Sequence, residues 1–149
     1  MKLKVYKTRE TAKLPTRAHA TDAGMDLFYC PDEHVMVTIP PGASAVLETG
    51  LKIEVPKGHM IQIMNRSGVA SKRQLITGAC VVDSGYDGEV FINLQNIGKT
   101  PQTIESGAKI AQAVCIPIVT PELVEIGEDN IYGTDTSRGS GGFGSSGDK

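Results

Sequence analysis

Two stretches of the sequence carry side chains that could bind or attack a phosphorylated molecule. Asp83 lies at the entrance of a glycine-rich turn that also contains Tyr86. A carboxylate there can accept a proton from water, although an aspartate at such a position is more often only a turn former. Arg66, Ser67 and Gly68 precede a short helical stretch, where backbone N–H groups and a hydroxyl can bind an anion. Each stretch alone is a weak signal.

A third stretch is the C-terminal segment, where the composition changes abruptly after Tyr132 to glycine, serine and threonine. Such a segment cannot bury a core of its own, and we expect residues 133–149 to form a flexible arm until a ligand orders them. Within it, Arg138 can clamp a phosphate with two parallel donors, and Phe143 offers a face on which a base can stack. A disordered tail with an incidental Phe is the simpler interpretation when the tail is considered alone.

One polar side chain interrupts the longest apolar run. Residues 111–119 are nearly all apolar and predict a strand buried on both faces, with Gln112 inside it. A buried amide is costly unless it is hydrogen-bonded. Gln112 therefore either satisfies neighbouring backbone groups or reaches a ligand, and the sequence leaves both interpretations open.

Apolar residues recur in short alternating runs, which predict β-strands. Strands are therefore the elements that position the residues named above. The runs are Leu3-Val5, Val35-Val37-Ile39, Ala43-Ala45-Leu47, Leu51-Ile53-Val55, Ile61-Ile63 and Val90-Ile92-Leu94. We expect an all-β, jelly-roll-like barrel of short strands over residues 1–132, with one short helix from Ser67 through Val69 to Arg73. Residues 78–91 predict a β-hairpin that can hold the flat edge of a base against its backbone.

Composition excludes several other classes of protein. The 149 residues suit one domain, and a net charge of −2 gives no broad basic field for nucleic acid or membrane. The cysteines suggest small buried hydrophobes, and the scattered histidines lack the spacing of a transition-metal site. These residues are Cys30, Cys80, Cys115, His19, His34 and His59. Without a signal-peptide pattern at the N-terminus, we expect a cytoplasmic protein, or an intracellular one if it is virus-encoded.

Two patterns typical of nucleotide-binding loops fail in their context. Residues 139–144 satisfy G-x-G-x-x-G, but they follow no predicted strand and open no predicted helix. Residues 98–100 resemble the end of a phosphate-binding loop, but Asn93 stands where that motif requires glycine. Neither pattern supports a nucleotide site.

Taken together, the stretches above resemble the five motifs of the trimeric dUTPases, in the expected order and over nearly the whole chain. The matching segments are residues 23–27, 66–68, 78–88, 107–112 and 138–147. The last segment is highly specific and the third strongly so, while the three short ones gain weight from their order. The sequence departs from the usual pattern at Asn65, Cys80, Gly85 and Ser146, where the family more often has Pro, Gly, an acidic residue and Thr.

The resemblance implies hydrolysis of dUTP to dUMP and pyrophosphate by attack of water on the α-phosphorus, which limits uracil in DNA and supplies dUMP for thymidylate synthesis. Asp83 would orient and deprotonate the water. Asp26 would support the water around the metal or, more simply, orient Arg66. The implied substrate-binding residues are Arg66, Ser67, Gly68, Thr77, Gly78, Val81, Val82, Tyr86, Phe91, Gln112, Arg138, Phe143, Gly144, Ser145 and Ser146.

The resemblance further implies a homotrimer with shared active sites, each closed by the arm of a neighbouring subunit. The apolar stretch 114–119 is compatible with burial at a central axis. Tyr86 would exclude a 2'-hydroxyl, and backbone groups between Thr77 and Phe91 would select uracil. Mg²⁺ would be held by the substrate phosphates and water with no direct protein ligand, and no nucleic-acid or membrane partner is expected.

Two alternatives stay open at this stage. A dCTP deaminase, or a bifunctional deaminase-dUTPase on the same fold, would keep much of the phosphate site and change the chemistry of residues 78–91. The Val-Val-Asp-x-x-Tyr string and the Phe-containing tail favour the plain hydrolase. A non-catalytic jelly-roll regulatory protein would require none of Asp83, Arg138 and Phe143.

Overall fold

The computed structural model describes residues 1–33 and 35–147, so that His34, Asp148 and Lys149 lie outside the described residues. The chain divides into two compact units, Met1–Val119 and Thr120–Lys149. The first unit contains all the strands of the described residues. The arm was predicted from residue 133, whereas the second unit begins at Thr120, before the change in composition.

Short strands dominate the first unit, and an all-β fold with one short α-helix was predicted and is confirmed. The strands are β1 (Lys4–Lys7), β2 (Met25–Phe28), β3 (Val37–Ile39), β4 (Ser44–Glu48), β5 (Leu51–Glu54), β6 (His59–Met64), β7 (Leu75–Thr77), β8 (Val81–Val82), β9 (Phe91–Asn96), β10 (Gln102–Ile104) and β11 (Lys109–Pro117). The α-helix α1 spans Ser67–Arg73, as predicted, and a 3-10 helix that was not predicted spans Glu128–Asn130 in the second unit.

All the strand pairs are antiparallel and join strands distant in sequence. The largest sheet has the order β2-β11-β6-β8, and a second sheet has the order β4-β9-β7. Two further ladders pair β1 with β5 and β10 with β3. Because the largest sheet places β2, β11 and β6 side by side, it brings three of the motif segments to one end of the sheet.

The core lies where alternating side chains of these strands face inward. In β5, Leu51 and Ile53 are buried while Lys52 and Glu54 are exposed, which is the predicted period of two. The same inward face in other strands supplies Leu27, Leu47, Ile61, Ile92 and Leu94, each at most 1% exposed. These fully buried aliphatic side chains hold the sheets in register, because a slip of one residue would turn them to solvent.

The short helix α1 is placed by one buried side chain and ended by its C-cap. Val69 is buried, and α1 contacts β7, which follows it in the chain. Lys72 and Arg73 in the last turn complement the helix dipole, and Gln74 ends the helix in a left-handed conformation with φ of 53°. The start of α1 is therefore fixed directly after β6.

The prediction of a β-hairpin over residues 78–91 is wrong. β8 pairs with β6, with Val82 opposite Ile61, while β9 pairs with both β4 and β7. Since β9 already has a neighbour on each side, β8 pairs with the free edge of β6. The glycine-rich turn thus crosses from one sheet to another.

The prediction for residues 111–119 is wrong in its second half. Ala111 and Ala113 are buried, but residues 114–116 and 118 are only half-buried and Val119 is 88% exposed. The apolar sequence therefore continues beyond the point where the elements of this chain cover it. Among the cysteines, Cys30 is buried while Cys80 and Cys115 are half-buried, and all three are free thiols.

Across the described residues, no helix has both the length and the apolar character that crossing a membrane requires.

Candidate active site

A cavity of about 640 Å³ lies where β6 passes into α1, and we call it the anion pocket. Three motif segments meet in its wall. Asp26 comes from β2, Gln112 comes from β11, and Arg66, Ser67 and Gly68 lie at the start of α1. The structure thus brings together five of the residues that the sequence singled out.

Two cations share one carboxylate at the anion pocket. Arg66 Nε donates to Asp26 Oδ1 at 2.8 Å, and Lys109 Nζ lies 3.0 Å from Asp26 Oδ2. The side chain of Asp26 is only 16% exposed. Arg66 thus uses its side chain on Asp26, and the first-turn N–H groups of α1, at Ser67 and Gly68, have no partner within the helix. The charges of Arg66 and Lys109 are balanced by the carboxylates of Asp26 and Asp22, and the free N–H donors suit a phosphate.

Gln112 projects into the anion pocket with one of its polar atoms already engaged. Its Nε2 donates to the backbone carbonyl of Asn65 at 2.7 Å. A side chain at Gly24 would overlap Gln112 Oε1, so that only glycine leaves the amide in this position. Of the two interpretations of Gln112, the structure shows the bond to neighbouring backbone, and the amide also lines the pocket.

A second cavity, of about 180 Å³, contains Asp83, and we call it the carboxylate pocket. Its lining residues are Val81, Val82, Asp83, Tyr86, Glu89, Val90 and Phe91. Asp83 is exposed, and the rings of Tyr86 and Phe91, 46% and 45% exposed, stand beside it. An exposed carboxylate next to two partly exposed aromatic faces can hold a water and a flat or sugar-like ligand together.

The turn after Asp83 is built so that Tyr86 has one orientation. Tyr86 N–H donates to the carbonyl of Asp83 at 3.2 Å, and Gly85 adopts φ of +93°, which favours glycine. The Tyr86 hydroxyl donates to the carbonyl of Glu89 at 2.8 Å. A side chain at Gly88 would overlap that hydroxyl, so the glycine is needed for the ring to lie across the turn.

Thr77 and Gly78, two further residues of the predicted site, lie at the end of β7. Thr77 N–H donates to Asn65 Oδ1 at 2.8 Å, and Gly78 N–H donates to the carbonyl of Asn93 at 3.0 Å. A side chain at Gly78 would overlap the Asn93 side chain. Asn65 therefore links the end of β7 to the edge of the anion pocket.

The two pockets are at opposite ends of β6. Val82 pairs with Ile61, and the antiparallel direction carries Asp83 toward Met60, whereas the anion pocket begins beyond Met64. At a rise of about 3.3 Å per residue, roughly 20 Å of strand separates Met60 from Arg66. One chain of this fold therefore does not bring Asp83 to the anion pocket.

The second unit, described by itself, has no regular element over residues 120–127, a 3-10 helix at Glu128–Asn130 and then a series of bends and turns. Arg138 Nε donates to the carbonyl of Gly141 at 2.8 Å, and Ser145 N–H donates to the carbonyl of Gly142 at 3.1 Å. Phe143 adopts a positive φ of 46° and its side chain is fully exposed. The aromatic ring and the guanidinium thus project from a backbone that Gly144 helps to turn, with φ of +88°.

The donor set of the anion pocket bears on whether side chains would ligate a metal. Within residues 1–33 and 35–147, no three His, Cys, Asp or Glu side chains come together as a metal site. Both oxygens of Asp26 face cations, and Asp22 Oδ2 accepts the N–H of His19 at 2.9 Å. These residues fit a metal that is carried by a ligand's own phosphates and by water.

The fold and its two pockets define an all-β protein that has free helix N–H groups at one end of β6 and a carboxylate beside two aromatic rings at the other. The family model dUTPase matches residues 10–147. The chain therefore belongs to the dUTPase family.

Relatives across most of the chain have the same description. The chain is 43% identical over 149 residues to the deoxyuridine 5'-triphosphate nucleotidohydrolase of Gloeothece citriformis, covering 99% of this chain and 97% of that protein. It is 42% identical to the enzyme of Clostridium novyi, with 99% of each covered. The resemblance predicted from the sequence is confirmed, and these comparisons do not favour the alternatives of a deaminase or a regulatory protein.

Solved structures agree with the fold. A dUTPase of Staphylococcus bacteriophage 80alpha with dUpNHpp superposes with a TM-score of 0.86 at 31% identity, covering 98% of each chain. A mutant dUTPase of phage phi11 of S. aureus, whose structure is described as revealing the details of the coordination of a structural Mg(II) ion, superposes with a TM-score of 0.77 at 30% identity, covering 86% of this chain and 98% of that one.

Three residues of the site were missed by sequence reasoning. Gly24 makes room for Gln112, Lys109 binds Asp26, and Asn65 holds both Gln112 and Thr77. Gly24 and Lys109 lie inside motif segments, and Asn65 departs from the usual motif, so their positions were noticed but not their contacts. The contacts join residues at least 12 positions apart, and no local pattern encodes them.

Proposed function

We propose that this chain hydrolyses dUTP to dUMP and pyrophosphate by attack of water on the α-phosphorus. This is the activity by which its relatives are named. The observation that carries the proposal is the exposed carboxylate of Asp83, held beside the rings of Tyr86 and Phe91 in a pocket of its own. A carboxylate that only forms a turn does not require a pocket with two aromatic rings beside it.

In the proposed reaction, Asp83 holds a water molecule in line with the α-phosphorus and accepts its proton. The water oxygen forms a bond to phosphorus, the bridging P–O bond to the β-phosphate breaks, and its electron pair leaves with pyrophosphate. Because a carboxylate is a modest base, most of the acceleration comes from positioning and from positive charge on the phosphates.

The phosphates are held by the anion pocket and by the C-terminal arm. Arg66, Ser67, Gly68 and Gln112 supply donors from the pocket, and the first-turn N–H groups of α1 support this assignment. Arg138, Gly144, Ser145 and Ser146 would complete the shell from the arm, and Phe143 would stack on the base. Asp26 acts on the substrate indirectly, by fixing Arg66.

Mg²⁺ is the proposed cofactor, chelated by the three phosphates and water. When bound, it would neutralise charge on the departing pyrophosphate. The side chains of this chain orient the triphosphate and its water shell, with Asp26 at the pocket wall. The paired state of both Asp26 oxygens supports this arrangement over direct ligation.

The active sites are shared between the subunits of a homotrimer. The roughly 20 Å between the two pockets of one chain supports this, because a triphosphate cannot reach from Asp83 to Ser67 along β6. The half-buried apolar residues Val114, Cys115 and Ile116 supply surface that a neighbouring subunit would cover. The arm of residues 133–149 then closes a site on a neighbour and excludes water, as mobile lids do.

Selection for dUTP rests on the carboxylate pocket and the segment before it. Tyr86, fixed by its bond to Glu89, would leave no space for a 2'-hydroxyl. Backbone groups of Thr77, Gly78, Val81 and Val82 would pair with the edge of uracil and meet mismatched groups on cytosine. A site built for one hydrogen-bond pattern rejects another by large factors.

The proposal is tested by pyrophosphate release from dUTP, dCTP, UTP and dTTP in the presence of magnesium. We expect release from dUTP to exceed the others. Asp83→Asn should lower kcat by at least about a hundredfold with KM nearly unchanged, because the base is lost and the binding groups stay. A deaminase would instead release ammonia from dCTP, and near-normal turnover by Asp83→Asn would remove Asp83 from its assigned role.

A further inference from the structure

Arg9 lies outside the two pockets and is bonded to Glu89, the residue whose backbone carbonyl accepts the Tyr86 hydroxyl. Arg9 Nη1 donates to Glu89 Oε1 at 2.7 Å, and Nη2 donates to Glu89 Oε2 at 3.4 Å, so the guanidinium and the carboxylate face each other in the two-pronged geometry. Both side chains are only 14% exposed. An ion pair this sheltered is screened less by solvent than a surface pair.

Glu89 connects this ion pair to the aromatic ring. Its side chain receives Arg9, and its backbone carbonyl accepts the Tyr86 hydroxyl at 2.8 Å. Thr8 Oγ1 also donates to Glu89 Oε1 at 3.1 Å, while Arg9 Nη1 donates to Thr8 Oγ1 at 2.9 Å. The Glu89 carbonyl shares a peptide unit with the Val90 N–H, which donates to the carbonyl of Leu51 at 2.8 Å, so it is held by that bond on one side and, through the Glu89 side chain, by Arg9 on the other.

The two ends of the turn are bonded to β5 and the residue after it, whereas the bonds of Tyr86 stay within the turn. Ser84 Oγ donates to the carbonyl of Val55 at 3.1 Å, and Val90 N–H donates to the carbonyl of Leu51 at 2.8 Å. Between these anchors, Gly85 and Gly88 allow wide backbone freedom. Arg9 is bonded to the turn at Glu89, next to Gly88, over which the Tyr86 ring lies.

Arg9 is itself held on the barrel by further carboxylates. Its Nη2 lies 3.4 Å from Glu48 Oε2, and its Nε lies 3.3 Å from Asp32 Oδ1. Glu48 belongs to β4 and also accepts the N–H of Asp32 at 3.1 Å. The cation is therefore fixed to a strand of the core, and Glu89 is fixed to the cation.

We infer that Arg9 is a positioning residue for sugar selection: through Glu89 it holds the Tyr86 hydroxyl, and so keeps the ring where a 2'-hydroxyl would clash. The inference rests on the selection role proposed above for Tyr86. Loosening the Arg9–Glu89 pair lets the ring move away, which makes room for the ribose of UTP while the groups that bind phosphate and activate water stay in place.

The experiment compares kcat/KM for dUTP and for UTP in the parent protein and in Arg9→Gln. We expect Arg9→Gln to lower the ratio of the two by about tenfold, with kcat for dUTP within about twofold of the parent. Arg73→Gln is the matched control, because Arg73 is also a half-buried arginine that donates to a side chain, that of Gln102, but it lies at the end of α1 and is not bonded to the turn. The control should leave the ratio unchanged.

The route through Tyr86 is tested by combination with Tyr86→Phe, which removes the bond to the Glu89 carbonyl. Tyr86→Phe alone should reproduce the loss of selectivity, and Arg9→Gln should add little to it. If Arg9→Gln keeps its full effect on the Tyr86→Phe background, Arg9 acts by another route and the inference is overturned. A thermal unfolding curve for each variant keeps selectivity apart from stability.

Failure of the inference differs from failure of the proposed selection. If Tyr86→Ala lowers the ratio but Arg9→Gln only lowers the unfolding temperature, Tyr86 keeps its role and the inference is overturned alone. If Tyr86→Ala leaves the ratio unchanged, both are overturned. Should Arg9→Gln fold poorly, Arg9→Lys keeps the charge and loses the paired geometry, and an unchanged ratio in that variant would also contradict the inference.

Discussion

Gln112 illustrates what a single residue can and cannot disclose. A lone amide in an apolar run predicts a hydrogen-bond partner, because burying an unpaired amide is costly. The partner is the carbonyl of Asn65, 47 positions away. Its identity depends on β11 lying beside β6, which is a property of the sheet. The residue was therefore found from the sequence, and its contact was not.

Gly24→Ala tests whether the position of Gln112 matters for substrate binding. The added methyl group would overlap Gln112 Oε1, and the flexible amide would give way before the backbone does. We expect KM for dUTP to rise by about tenfold through loss of the ordered donor, with the unfolding temperature little changed. Steady-state kinetics and a melting curve measure the two effects.

The control for Gly24→Ala is the same substitution made in Gln112→Ala. With the amide absent, the added methyl group meets only the Cβ of residue 112, 3.3 Å away, and KM should rise little further. A further rise in KM on that background would show that Gly24 acts on the pocket by some other contact.

At the level of elements, the alternation of apolar residues predicted the strands well and their partners poorly. β5 and β6 appear where the pattern placed them, because burial of one face is a local property of the sequence. Pairing is not local. Residues 78–91 have the composition of a hairpin, but β9 already has two neighbours and β8 pairs with the edge of β6.

The site follows the same division. Ser67 and Asp83 could be found from motif order, whereas their separation at opposite ends of β6 depends on the register of Val82 with Ile61. That register comes from the packing of the whole unit. The motifs place all the site residues around one ligand, and the resemblance implies sites shared between subunits, but only the register shows which residues one chain keeps apart.

Asn65→Ala tests the link between α1 and β7. The change removes the acceptor for Thr77 N–H, and the net loss of one hydrogen bond should lower the free energy of unfolding by about 1 kcal/mol. KM for dUTP should rise several-fold because Thr77, which we propose to contact the base, is no longer tied to the anion pocket, while kcat stays near that of the parent. Denaturant unfolding and steady-state kinetics measure the two quantities.

Asn65→Asp separates the hydrogen bond from charge. It keeps an acceptor for Thr77, so that stability should be retained, but it adds a negative charge near the anion pocket and should raise KM. That rise should shrink as salt is added, since salt screens the repulsion. An Asn65→Ala variant with unchanged stability and KM would show that the bond to Thr77 contributes to neither.

At the scale of the whole molecule, the surface left uncovered by one chain is as informative as its core. Residues 114–116 and 118 are apolar and only half-buried, although the sequence predicted burial on both faces. That prediction did not distinguish burial within one chain from burial against a neighbouring subunit. Together with the distance between the two pockets, the exposed apolar face supports an assembly in which each site draws on more than one subunit.

Mixing two inactive variants tests the shared site. Asp83→Asn leaves the anion pocket intact, and Ser67→Ala leaves the carboxylate pocket intact, so each homotrimer should be nearly inactive. After the subunits are exchanged in a 1:1 mixture, a site that takes Asp83 from one chain and Ser67 from another should have both native residues in about a quarter of cases. Pyrophosphate release should therefore recover to about a quarter of the parent rate. The mass of the complex by light scattering should be that of three chains.

A mixture of Asp83→Asn with a chain truncated before Gly139 should recover activity for the same reason, because the arm comes from a further subunit. If the mixtures stay inactive after exchange has been verified with a labelled subunit, each site is built within one chain, and the roughly 20 Å between the pockets must then be closed by a change of fold.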